Sequence, residues 1–74
     1  MDKPRKRSIT IAGHATSISL EAPFWNAVRY IADQKDISTQ DLIAEIDNSK
    51  RMASLSSAIR VYILLWYKDK ANET

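Results

Sequence analysis

The residues that could do chemistry are few, and their types point to contact rather than catalysis. The chain has one histidine, His14, and no cysteine. Disulfides and thiolate metal sites are thereby excluded, and one imidazole cannot hold a metal alone. Gly13 is the only glycine, so there is no glycine-rich phosphate loop. Serine, histidine and aspartate all occur, yet no local pattern sets them as a triad. Asp33, Asp36, Asp41, Glu45 and Asp47 read as exposed helix charges, and His14 reads as a turn or contact residue. Neither an enzyme nor a metal nor a cofactor is expected. The charge with something to reach for is at the start. Lys3, Arg5, Lys6 and Arg7 stand against Asp2, a net +3, while residues 8–74 carry seven basic and eight acidic side chains, a net −1. The basicity is a short arm of the kind that reaches for phosphate or an anionic surface. A solvated terminus is the plainer reading of the same charges.

Residues 7–20 are the only stretch with strand character. Apolar and small polar residues alternate there, the period of a half-buried strand. The phase breaks once: Ile9 and Ile11 are odd-numbered, Ile18 and Leu20 even-numbered. A two-residue hairpin turn at Gly13-His14 would pair Ala12 with Ala15, Thr10 with Ser17, Ile9 with Ile18 and Ser8 with Ser19. Ile9, Ile11, Ile18 and Leu20 would then share one face, and Ser8, Thr10, Ser17 and Ser19 the other. A bulge at Gly13, or two short strands, would also mend the phase.

The rest is helical. Residues 1–6 form a flexible basic arm, 7–70 one domain and 71–74 a frayed tail. Pro23 suits the opening of a first helix, and Phe24, Trp25, Val28, Ile31 and Ala32 fall at helical spacing as far as residues 34–36. Ser38 is a good N-cap for a second helix carrying Leu42, Ile43 and Ile46. Residues 47–51 lose apolar character, but no glycine or proline enforces a stop, so one long helix and two short ones both remain open. From Ser54 a third pattern is apolar almost all round, which demands burial on more than one side. That points to a second subunit, the usual remedy for a chain of 74 residues without disulfides. The longest apolar run, Val61 to Tyr67, has seven residues, against the ~18 needed to cross a bilayer. A cytoplasmic protein is expected, with no membrane role.

All six aromatic residues fall in the helical segments. A single-strand binder would carry aromatics on its strands for stacking. A serine and threonine face is equally what any solvent-facing sheet shows, but a two-stranded ribbon behind a basic arm fits the major groove of duplex DNA. The arm would supply phosphate contacts, and the helix start at Ser38-Thr39 would offer backbone N–H groups to a phosphate.

This order of parts resembles the ribbon-helix-helix superfamily of MetJ- and Arc-like repressors. The residues that carry the likeness are Lys6-Arg7-Ser8, Gly13-His14, Thr16 to Glu21, Phe24-Trp25, Ile37-Ser38 and Leu55 to Arg60. They cover residues 6–68 and look most like short bacterial ribbon-helix-helix proteins. The resemblance implies a mainly α fold with a short N-terminal β ribbon, an additional C-terminal helix and an intertwined homodimer. It implies double-stranded DNA binding in transcription regulation, with Ala15, Ser17 and Ser19 facing the bases, and Ser38 and Thr39 clamping phosphate. Lys3, Arg5, Lys6, Arg7, Ser8 and Thr10 complete the expected DNA contacts. The expected dimer interface takes Ile9, Ile11, Ile18 and Leu20 from the ribbon and Trp25 from the first helix. Leu55, Ile59, Tyr62, Ile63 and Trp66 complete it from the last. Ala15, Ser17 and Ser19 are short and discriminate bases weakly. That motivates an alternative, a dimeric module that binds a protein partner, antitoxin-like or adaptor, and reads little DNA.

Overall fold

The computed structural model of the chain describes residues 3–11, 13–49 and 54–72. The phase break is a hairpin. Strand β1, Arg5–Ile11, pairs antiparallel with β2, His14–Leu20. The register differs from the expected one. Ile11 pairs with His14, Thr10 with Ala15, Ser8 with Ser17, Arg7 with Ile18 and Lys6 with Ser19. His14 is therefore a strand residue, and the two-residue loop comes one position earlier. Gly13 takes the second loop position, with φ +83, which glycine adopts without a Cβ penalty. The expected Ala12–Ala15 pair involves Ala12, which lies outside the described residues. A second correction concerns the arm: Arg5 and Lys6, expected to be flexible, belong to β1.

The shift of register preserves the faces. Ile11, Ile18 and Leu20 are buried and Ile9 is half-buried, all on the helix side. Helix α1 spans Ala22–Gln34, α2 Thr39–Ser49 and α3 Leu55–Ala71. Pro23 lies in the opening turn of α1, where a missing N–H costs nothing. Ser54 is extended (φ −117, ψ 131) and its hydroxyl accepts from Ser57 N–H at 3.3 Å. That cap makes α2 and α3 separate helices. Residues 50–53 between them lie outside the described residues.

One core joins every element. Trp25, Val28, Ile31 and Ala32 of α1 meet Leu42, Ile43 and Ile46 of α2, Ala58, Ile59 and Ile63 of α3, and the three buried strand residues. Full burial of an aliphatic side chain is worth about 1.5–3 kcal/mol. Six residues at 0% exposure, Ile18, Leu20, Val28, Ile31, Leu42 and Ile59, anchor the hairpin to all three helices. No helix among the described residues is long and apolar enough to cross a membrane.

Candidate nucleic-acid interface

Strand alternation divides the expected contact residues between two faces. Lys6, Ser8, Thr10, Ala15 and Ser17 are exposed on the face away from the helices, with Ser19 half-buried at its end. They form three directly opposed pairs: Lys6 with Ser19, Ser8 with Ser17, and Thr10 with Ala15. Ser19 directs its N–H and carbonyl away from β1, to α3. In an antiparallel ladder these three are therefore the non-hydrogen-bonded pairs, whose side chains stand closest together. The result is a compact hydroxyl-rich strip, roughly 14 Å long at ~3.4 Å per residue.

Arg5 and Arg7 have the opposite parity and lie on the helix side. The Arg7 guanidinium stands 4.9 Å from the centre of the Trp25 ring, a cation–π contact. The Trp25 indole N–H donates to the Arg5 carbonyl at 3.1 Å. Lys3 is exposed ahead of β1. The four basic residues of the start are thus not one cluster.

At the start of α2, the Ser38 hydroxyl is already engaged. It accepts from Asp41 N–H at 3.0 Å, which caps the helix as its position predicts. Thr39 is half-buried. The next residue, Gln40, donates its side-chain amide to the Thr10 carbonyl and so ties the start of α2 to the edge of β1.

A brace on the other edge was not visible in the sequence. Ser19 N–H donates to the Ser56 hydroxyl at 3.2 Å, and Arg60 Nη2 donates to the Ser19 carbonyl at 3.3 Å. Arg60 also pairs with Glu21 Oε1 at 2.9 Å. Its guanidinium lies 5.6 Å from the Phe24 ring centre. The Glu21 carboxyl is held below its ordinary range by its own backbone N–H and then by Arg60. The one available signal was a lone arginine within an apolar helix. Its partner, Ser19, is 41 residues away in sequence. A second brace joins the helices, where Lys35 donates to the Tyr62 hydroxyl and to Glu45, both at 3.3 Å. Those two contacts, Tyr62 first, raise its pKa.

The residues expected between two subunits are used within one chain. Ile11, Ile18, Leu20, Trp25, Ile59 and Ile63 are buried, and Ile9, Leu55, Tyr62 and Trp66 pack half-buried against them. The large apolar side chains left outside are others: Tyr30, Val61, Leu64, Leu65 and Tyr67. Tyr30, Trp66 and Tyr67 form a ring cluster, with Tyr30 and Tyr67 stacked at 6.5 Å. His14 is exposed. No group of three or more acidic or histidine side chains among the described residues is placed to hold a metal ion.

A family model described as ribbon-helix-helix domain matches residues 4–67. No curated protein and no solved structure matches.

Proposed function

The chain belongs to the ribbon-helix-helix domain family, and from that premise we propose that it binds double-stranded DNA as a homodimer and regulates transcription in the bacterial cytoplasm. The observation that carries the reading is the open face of the hairpin. Lys6, Ser8, Thr10, Ala15 and Ser17 are all exposed on one side of a two-stranded ribbon whose other side is fixed to the core. A ribbon of this width enters a major groove. Hydroxyls contact any base edge with low discrimination, so this face serves semi-specific binding, with shape and phosphate contacts supplying much of the affinity. Lys6 and Lys3 supply the phosphate contacts of that face, Arg5 and Arg7 those of its edge. Ser38 and Thr39 bring the α2 N-terminus to the flanking phosphate, through backbone N–H groups rather than the engaged Ser38 hydroxyl. The second copy packs on the apolar residues a single chain leaves outside, chiefly Val61, Leu64 and Leu65 of α3.

Duplex binding at low salt tests this. Wild type is expected to bind, with affinity falling linearly in log salt. Ser8→Glu with Ser17→Glu, which places two carboxylates on the strip, is expected to weaken it at least tenfold while the fold persists. Negligible binding by wild type, or equal binding by both, ends the reading. The exposed Tyr30, Leu64, Leu65 and Tyr67 favour a second reading, a module that binds a protein partner. A stoichiometric protein complex with no duplex preference would replace the first reading with this one.

A further inference from the structure

Beneath β1, on the side away from the hydroxyl strip, a cleft of about 300 Å³ opens between the hairpin, α1 and α2. Its floor is apolar: Ile9, Trp25 and Ile43. Arg7 and Arg29 stand on its wall, and Thr39 and Gln40 on its rim. Neither arginine has a carboxylate partner among the described residues. Arg7 lies over the Trp25 ring, and Arg29 donates only to the Asn26 side-chain carbonyl. By contrast Arg60 is neutralised by Glu21 and Lys35 by Glu45. Two guanidiniums without a carboxylate partner among the described residues, above an apolar floor, match an anion that carries an apolar body. We propose that this cleft binds a small organic anion, its phosphate or carboxylate held by Arg7 and Arg29 and its flat apolar part against Ile9, Trp25 and Ile43. The volume lies at the lower end of the range for ligand pockets, which suits a body of one ring. A duplex on the hydroxyl strip would lie against the opposite face of the ribbon; Arg7 and Thr39 are shared with the phosphate contacts proposed above, and a phosphodiester probe tells the two uses apart.

The two indole N–H resonances make the test direct. Trp25 lies on the cleft floor and Trp66 is far along α3, and the Trp66→Phe variant assigns them. The full chain, labelled with nitrogen-15, is titrated with phenyl phosphate, inorganic phosphate, benzyl alcohol and dimethyl phosphate. Phenyl phosphate is expected to move the Trp25 resonance saturably and leave Trp66 in place, with the other three at least tenfold weaker. Arg29→Ala, a change at an exposed helix position, is expected to weaken phenyl phosphate about tenfold without altering the dispersion of the spectrum. The proposal is overturned if neither indole moves, if both move in parallel, or if Arg29→Ala binds as wild type does. Equal binding of dimethyl phosphate also overturns it, since the cleft would then be a phosphodiester contact only.

Discussion

Lys6 and Arg7 are adjacent in sequence and carry the same charge, yet the strand turns them to opposite faces. Their substitution should therefore read out differently. Lys6→Ala is expected to weaken duplex binding across all sequences and to reduce the salt slope by about 1, as for the loss of one phosphate contact. Arg7→Ala removes the guanidinium from the Trp25 ring and is expected to cost about 0.5–1 kcal/mol of stability in urea unfolding, with the smaller effect on binding. Glu21 makes the residue-scale case for pH. Its carboxyl is held below the ordinary value of 4.5, by its own backbone N–H and by Arg60. A depressed acid stabilises the fold fully above its unfolded pKa and loses that contribution as pH falls through the folded value. Glu21→Gln should thus be less stable than wild type at pH 7. The two should converge as acid is added from about pH 4.5 downward, and a gap that persists at low pH would assign the effect to packing instead.

At the scale of elements, what the sequence made legible was parity, and what it hid was register. The observed pairing differs from the expected one by two residues, Thr10 opposing Ala15 rather than Ser17, and an even slip leaves every side chain on the same face, so Ile9, Ile11, Ile18 and Leu20 could be grouped without knowing which residue opposes which. The same parity marked out the hydroxyl strip. It equally separates Arg5 and Arg7 from Lys6, which grouping them by charge as one arm overlooked. Contacts between distant elements left no local trace: Arg60 reaches Ser19 and Glu21 only because α3 folds back along β2. The end of α1 falls at Gln34, within the expected residues 34–36, but the form of its cap was hidden for another reason. Ile37 N–H bonds to the Ala32 carbonyl and Asp36 N–H to that of Asp33, the pattern of a Schellman cap, but the left-handed position holds Asp36 (φ 59) where glycine would have announced it. Two substitutions at these bends should move stability in opposite directions. Gly13→Ala meets nothing within 4 Å, so its cost is backbone strain alone, about 1–2 kcal/mol. Asp36→Gly relieves strain and should gain less than ~1 kcal/mol, because glycine also frees the unfolded chain. Thermal unfolding of both variants checks the pair.

For the whole molecule the decisive quantity is apolar surface that one copy cannot cover. A domain of this size hides only about 60% of the surface of its unfolded chain. All five elements already contribute to one core, and Val61, Leu64 and Leu65 still face outward at helical spacing on α3, Leu64 with 59% and Leu65 with 53% of its surface exposed. These three lie opposite Ile59 and Ile63, so α3 is apolar on both sides while only one is used within the chain. Leu64→Glu with Leu65→Glu should leave the core intact and abolish self-association. The variant is expected to keep its helical spectrum and to be a monomer by light scattering, whereas wild type is expected to be a dimer at micromolar concentration. Ile59→Glu, buried at 0% exposure, should instead unfold the chain and so separates the two roles of the helix. Duplex binding gives the second half of the test. A dimer presents two ribbons and twice the phosphate contacts, so the monomeric double variant should lose affinity and about half of the salt slope. If wild type proves monomeric, or the double variant still dimerises, the outer face of α3 is not where two copies meet. If the double variant is monomeric but binds duplex with an unchanged slope, each hairpin acts alone.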